Sequence, residues 1–389
     1  MVAFSLFSCD DHIVEPPDCY TSRLPATFGD RIPRPENRGG TDMWVVNGQA
    51  LGPCVRTGST AGIPPEEREN FQTNRSTYEN VRPGVWKADD RLRDYDSSNV
   101  VGAVLFPDFF ANFANPFSLV GDDYELRLAC VKAHNDWMAE EFSAIAPNRL
   151  IPQALIPLWD MNETVKEVQR AAKIGHKGVC FGGSMDLLGY PWFGDRYWDP
   201  LWAVIQDSDM VLSIHRTGSF ADRPTIPLDS NDPGAGAATW SNRMSAAIYP
   251  TGELMGSGVL ERFPKLRVLI AEGGATWIPF VLQQLDRGTN RLLGKHGSSH
   301  LSMLPSEYFR RQVCAGFWWE RIDATTLEIL GEDNVAWEQD YPHAISPWPE
   351  SQESAEYCIA PIKDQAVQRK VLGGNVARLF KIEAPAGVS

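Results

Sequence analysis

The amino-acid sequence predicts an α/β protein, a (β/α)8 TIM barrel with long insertions in its βα loops. Three observations carry that prediction. Short apolar runs recur about eight times, most are followed by a stretch with helical periodicity, and several end on a histidine or a carboxylate. Alternating strands and helices imply parallel pairing with right-handed crossovers, and about eight such units fit a closed cylinder. A doubly wound open sheet is the competing architecture, but no G-x-G-x-x-G follows the first run.

The runs justify themselves in order. FSLFSCD (4–10) opens the series, and VVGAVLFP (100–107) follows the polar, helical DDRLRDYDSS. LIPQALIPL (150–158) comes after a helix expected around 122–146. KGVCF (177–181) follows ETVKEVQRAAKIG, whose Gly175 reads as the helix stop. MVLSIH (210–215), LRVLIAE (266–272), RRQVCAGF (310–317) and NVAWEQD (334–340) complete the set. One barrel is expected over residues 1–380, with 381–389 a frayed tail. Residues 13–88 and 216–245 exceed what simple βα loops require and read as lids, substrate walls or subunit contacts near the mouth.

Composition narrows the function. With 43% hydrophobic and 22% charged residues, the chain has ordinary globular make-up and enough apolar surface for a large core. A net charge of −14 without clustered Lys or Arg argues against nucleic acid as a partner. Seven scattered cysteines with no C-x-x-C spacing read as reduced core residues, which suggests the cytoplasm. The start, MVAFSLFSCDDH, lacks the basic region of a signal peptide, and no apolar run is long enough to span a membrane.

In such a barrel the chemistry gathers at the C-terminal strand ends. The first strand ends in Asp10-Asp11-His12, the fifth in His215, the sixth in Glu272 and the eighth in Asp340, with His343 three residues on. Asp10 and His12 stand two apart and share a face, so Asp11 points the other way. Imidazoles with carboxylates are the ligand set for Zn²⁺, Fe²⁺ or Mn²⁺. Asp10, His12, His215 and Asp340 are therefore the expected metal ligands. Glu15 reads as a loop anchor, His134 and His176 as structural residues, and His296 and His300 as residues of a polar loop. Glu338, on the strand face of Asp340, must be satisfied inside the barrel or belong to the site.

The segments SCDDHIVEPP, LSIHRTGS, IAEGGATWIPF and EQDYPH resemble the amidohydrolase superfamily, in the branch of aminocarboxymuconate-semialdehyde decarboxylase. The resemblance runs from the first strand to about Trp348. It implies a metal bound by a first-strand H-x-H pair, a fifth-strand His and an eighth-strand Asp. Two positions depart from that pattern. Asp10 stands where the first His of the pair belongs, and Glu272 where the decarboxylases have a sixth-strand His.

Both changes add negative charge, and on that ground the sequence favours a metal-dependent hydrolase using a metal-activated water. Asp340 would be the base, Glu272 and His343 would hold a second cation, and His343 would alternatively polarise a carbonyl. One or two divalent ions are expected, iron first, then zinc or manganese. The branch is similar to a diiron acyl-coenzyme A thioesterase, so the most concrete expected substrate is an acyl-CoA thioester with a bulky apolar acyl group. Trp44, Trp86, Phe109, Phe110, Trp240, Trp318 and Trp319 would wall the acyl group, and Arg31, Arg34, Arg38 and Arg56 would bind the phosphates. The alternatives are a non-oxidative decarboxylase of an aromatic or unsaturated acid, and an inactive metal-binding protein. A homodimer is plausible for a barrel with such long loops.

Overall fold

The computed structural model describes the chain except residues 1–3, 56–58, 65–66, 68–75, 109, 217–245, 290–300 and 384–389. Arg56, Phe109, Trp240, His296, His300, nearly all of the 216–245 insertion and most of the expected tail lie outside the described residues.

Eight parallel strands form the barrel: β1 (Leu6–Ile13), β5 (Val100–Pro107), β6 (Leu150–Ala154), β7 (Gly178–Gly182), β8 (Val211–His215), β9 (Arg267–Ala271), β10 (Val313–Phe317) and β11 (Val335–Trp337). They neighbour one another in that order. The seam between the last strand and the first is closed just beyond β11: Asp340 N donates to Asp10 O at 2.8 Å, and His12 N donates to Tyr341 O at 2.7 Å. Ser8 Oγ accepts from Gln339 N at 3.0 Å on the same seam.

Every residue of β1, β6, β7, β8, β10 and β11 is buried, as expected for strands covered on both faces. The helices that cover them carry readable punctuation. The helix Tyr124–Trp137 is capped by Asp123, which accepts from Leu126 N. The helix Met161–Ile174 is capped by Asp160 and stops at Gly175, whose φ of 116° suits glycine. No helix among the described residues is long and apolar enough to cross a membrane. All seven cysteines are buried and free.

Three expectations need correction. Arg310–Gln312 belong to the helix Pro305–Gln312, because Pro305 starts it and it buries Tyr308, Phe309 and Gln312 on one face. Residues 155–158 follow β6 rather than extend it. The third concerns Trp44 and Phe110 as walls of an acyl pocket: in the 13–88 insertion, β2 (Arg34–Arg38), β3 (Thr41–Val46) and β4 (Gln49–Pro53) form an antiparallel sheet. Asn47 and Gly48, at φ 51° and 75°, make the tight β3–β4 connection. Trp44 and Phe110 stack at 4.9 Å and are buried, so they pack this insertion onto the barrel and do not wall a pocket.

Candidate metal centre

β1 delivers Asp10 and His12 to one face, buried to 0% and 3% exposure. Asp11, facing outward, accepts from Ser8 Oγ at 2.8 Å, Gln339 Nε2 at 3.0 Å and the Tyr95 hydroxyl. Behind it the buried Arg91 donates to His12 O at 2.7 Å and to Gly84 O at 2.6 Å, fixing the backbone that carries the site. Burial raises Asp11 to about 6 even though Arg91 and these donors oppose the rise.

His215 ends β8. Its Nε2 lies 3.4 Å from Asp10 Oδ2, and His12 Nε2 lies 3.6 Å from Asp10 Oδ1. Asp10, His12 and His215 each offer one ligand atom, all within 4.8 Å of one another. Asp340 Oδ1 is 3.4 Å from His12 Nε2 and accepts from His343 Nδ1 at 2.7 Å. Glu272 Oε2 is 3.4 Å from His215 Nε2, and its other oxygen pairs with the buried Arg216. The structure thus brings together all six residues that the strand ends singled out.

Asp340 and Glu272 do not sit on strands. Both lie just past a strand end with positive φ, 55° and 52°, a conformation that costs a non-glycine residue about 1 kcal/mol or more. This corrects the expected shared strand face of Glu338 and Asp340. Glu338 N continues the ladder to Phe317 O, and its buried carboxylate accepts from Glu272 N at 3.2 Å.

A cation fits this donor set. His12 Nδ1 donates to Pro107 O at 3.2 Å, so the neutral ring presents the Nε2 lone pair to the cluster. Burial, with His343 nearby, lowers His12 to about 4 and keeps that ring neutral. Both Asp10 oxygens, His12 Nε2 and Asp340 Oδ2 are buried without a hydrogen-bond partner among the described residues. So many orphaned acceptors around one point are costly unless a cation satisfies them.

The electrostatics divide the acids by neighbour. Burial raises Asp340 to about 7 against the pull of His343. Burial alone would raise Glu272, but Arg216 and His215 hold it at about 2. Burial and then Asp10 push Glu338 well above the carboxylate range. His343 resists the lowering effect of burial because Asp340 and Asp108 hold it well above an ordinary imidazole.

Asp108, immediately after β5, is the site residue that sequence reading missed. Its Oδ1 lies 3.8 Å from His343 Nε2, and it forms a second donor group with His12 and His343. The same strand-end criterion applied to LFPD would have found it. Glu15 accepts from Tyr20 at 3.1 Å and lies 3.4 Å from His134, away from this cluster. A cavity of about 560 Å³, lined by Gly273, Thr276, Trp277, Trp318, Trp319, Glu320 and Ile345, begins one residue after Glu272 in the chain, and none of the six clustered residues lines it. The loop arginines are already engaged. Arg31 pairs with Asp123 at 3.0 Å, Arg34 with Glu36 at 3.3 Å and Arg38 with Glu36 at 2.6 Å.

Comparison with known proteins places this geometry. The amidohydrolase family profile matches residues 28–382. The chain is 26% identical over 268 residues to the γ-resorcylate decarboxylase of Polaromonas sp. (strain JS666), covering 64% of this chain and 75% of that one. Among solved structures, an amidohydrolase from Mycobacterium avium subsp. paratuberculosis K-10 superposes with a TM-score of 0.71 at 20% identity, over 98% of this chain and 99% of that chain. A dihydroxybenzoic acid decarboxylase from Polaromonas sp. JS666, with bound manganese and 2-nitroresorcinol, gives 0.64 at 16% identity over 99% of both.

These relatives overturn the expectation of a hydrolase and of thioester cleavage: the named activities are decarboxylations. The physical error lay in counting Glu272 as added negative charge. Arg216 neutralises it, so the departure from the decarboxylase pattern does not leave the site richer in charge at that position.

Proposed function

The chain belongs to the amidohydrolase family, and from that premise we propose that it is a metal-dependent, non-oxidative decarboxylase of an aromatic carboxylic acid. The observation that carries the reading is the pair of buried Asp340 and half-buried His343, joined at 2.7 Å beside the three-donor group of Asp10, His12 and His215. Loss of CO₂ from an aromatic ring needs an electrophile for the anionic substrate and one proton for the vacated carbon. The chain provides a place for each.

Asp10, His12 and His215 would hold a divalent cation, with Asp340 beside them; manganese, iron and zinc all suit one carboxylate with two imidazoles. When bound, the cation supplies the positive charge that orients the substrate carboxylate. The indoles of Trp277, Trp318 and Trp319 offer aromatic surface on which a ring can stack. As the ring–carboxylate carbon–carbon bond breaks, its electron pair stays on the ring carbon and CO₂ departs. That carbon then takes a proton from Asp340, whose Oδ2 has no hydrogen-bond partner among the described residues and which burial biases toward its protonated form. His343, 24% exposed through its side chain, hydrogen-bonds Asp340 Oδ1 and connects it to solvent for reprotonation. Arg216 keeps Glu272 charged and quiet, so it does not compete for that proton.

The test is direct. Protein reconstituted with Mn²⁺ is given a panel of hydroxylated benzoic acids in D₂O, and CO₂ and the product are followed. The expected product carries one deuterium at the vacated ring position. If fully metal-loaded protein releases no CO₂ from any member of the panel, the reading is wrong.

A further inference from the structure

We propose that the cavity just past the ends of β9 and β10 binds an organic ammonium group. The indoles of Trp277, Trp318 and Trp319 line it together with Glu320. Among the described residues no lysine, arginine or histidine lines it, so its one charged wall group is a carboxylate. This rests on the lining and stands whether or not the reaction is a decarboxylation.

Two loops of the barrel mouth build the walls. Trp277 comes from the loop after β9, and Trp318 follows Phe317, the last residue of β10. Glu320 ties the two loops together. Its carboxylate accepts from Ala275 N at 2.6 Å on one side, and from Trp318 N at 3.4 Å and Trp319 N at 3.3 Å on the other. Gly274, at φ 70°, leaves room for it, since a Cβ there would stand 3.0 Å from Glu320 Oε1. An ionised carboxylate offers about four lone-pair sites. Three backbone donors fill three of them and bring no net charge, so one acceptor position and the negative charge remain for a ligand.

The chemistry of the walls selects the ligand. Trp277 Nε1 already donates to Gly273 O at 2.7 Å, so that indole has no donor left and offers a ligand only its ring. Trp319 is 48% exposed and Trp318 5%, so aromatic surface runs from the outside inward. Indole faces carry negative electrostatic potential and attract a cation, most strongly where water is excluded. An anionic group would instead meet Glu320 with no basic wall residue to offset the repulsion. One carboxylate is too few ligands for a divalent metal ion, and about 560 Å³ suits a small organic molecule. Combined with the decarboxylase reading, the cavity would favour aromatic acids with an amine remote from the carboxylate, and disfavour diacids.

The experiment is calorimetric titration of full-length, Mn²⁺-loaded protein with benzyltrimethylammonium chloride. Benzyl alcohol serves as the uncharged probe, and bound metal is measured on every sample. The cation is expected to bind at least about tenfold more tightly than the alcohol. Trp319→Ala and Glu320→Gln, each checked for folding by circular dichroism, should each weaken the cation by roughly two- to thirtyfold, and the alcohol by less. Equal affinities for the two probes in the unaltered protein overturn the proposal. So does cation binding that a folded Trp319→Ala variant leaves within about twofold, because the site would then lie elsewhere. Trp319→Ala, at an exposed position, decides the matter if Glu320→Gln does not fold. Failure to release CO₂ would leave all of these readouts unchanged.

Discussion

Replacing Asp340 by Asn removes the proton donor together with one carboxylate charge beside the cation, so bound metal must be followed along with rate. The amide keeps the shape of the carboxylate and can still accept from His343 Nδ1, now 2.7 Å away, through its oxygen. What it cannot do is give up a proton to carbon. Positioned acids of this kind are worth about 10²–10⁴ in rate, which is roughly 3–5.5 kcal/mol at 1.36 kcal/mol per decade. The upper part of that range is expected, because Asp340 Oδ2 is buried and no other described group hydrogen-bonds it, so no neighbour stands ready to take over. The assay is kcat for CO₂ release by Mn²⁺-loaded protein, with bound metal measured on the same samples. His343→Gln should cost less, about ten- to a hundredfold, since it slows reloading and leaves the donor in place. An Asp340→Asn variant that retains its metal and works within threefold of the unaltered protein would refute the proton assignment.

Other consequences can be measured without a substrate. Chelation should lower the melting temperature and Mn²⁺ should restore it, because a ligand at about 1,000 times its Kd adds about 4 kcal/mol to stability; an unchanged transition would argue against a cation among Asp10, His12 and His215. Arg91→Met should cost about 3–5 kcal/mol in urea unfolding, since it strips a buried charge from Asp11 and from the carbonyls of His12, Gly84 and Val85. It should also weaken Mn²⁺ binding through the freed His12 backbone, and a change below 1 kcal/mol would contradict the network. His176, buried and bonded to Asn135 O at 2.9 Å, is lowered by burial from 6.5 to about 4. A ring that stays neutral in the fold lets the unfolded chain bind the proton first as pH falls. Its contribution is therefore present above pH 6.5 and lost as pH falls toward 4, by about 2 kcal/mol between pH 7 and pH 5. His176→Gln should flatten that part of the pH–stability curve, and an unaltered slope would refute it.

Much of this was legible in the sequence, for reasons that explain what was not. Strands buried on both faces appear as unbroken apolar runs, and the polar residue that ends each run marks the barrel mouth, which is why Asp10, His12, His215, Glu272 and Asp340 could be picked out. The boundary at Gln312–Val313 was hidden because a helix passes into β10 with no Gly or Pro between them. The β3–β4 hairpin did carry a signal, the Asn47-Gly48 dipeptide, but the surrounding Pro and Arg content masked it. Arg216 neutralising Glu272 was not legible at all. The two residues are 56 apart, and only the register of β8 beside β9 brings them together.

The seam that closes the barrel also sets the order of assembly. Asp10 and His12 leave the ribosome well before their backbone partners, Asp340 and Tyr341, which are made more than 320 residues later. Over that interval the nascent chain carries Asp10 and His12, joined later by His215, without the seam that fixes their backbone. Capture of the ion in its finished geometry therefore waits on the seam, and a polypeptide ending before Asp340 would lack it.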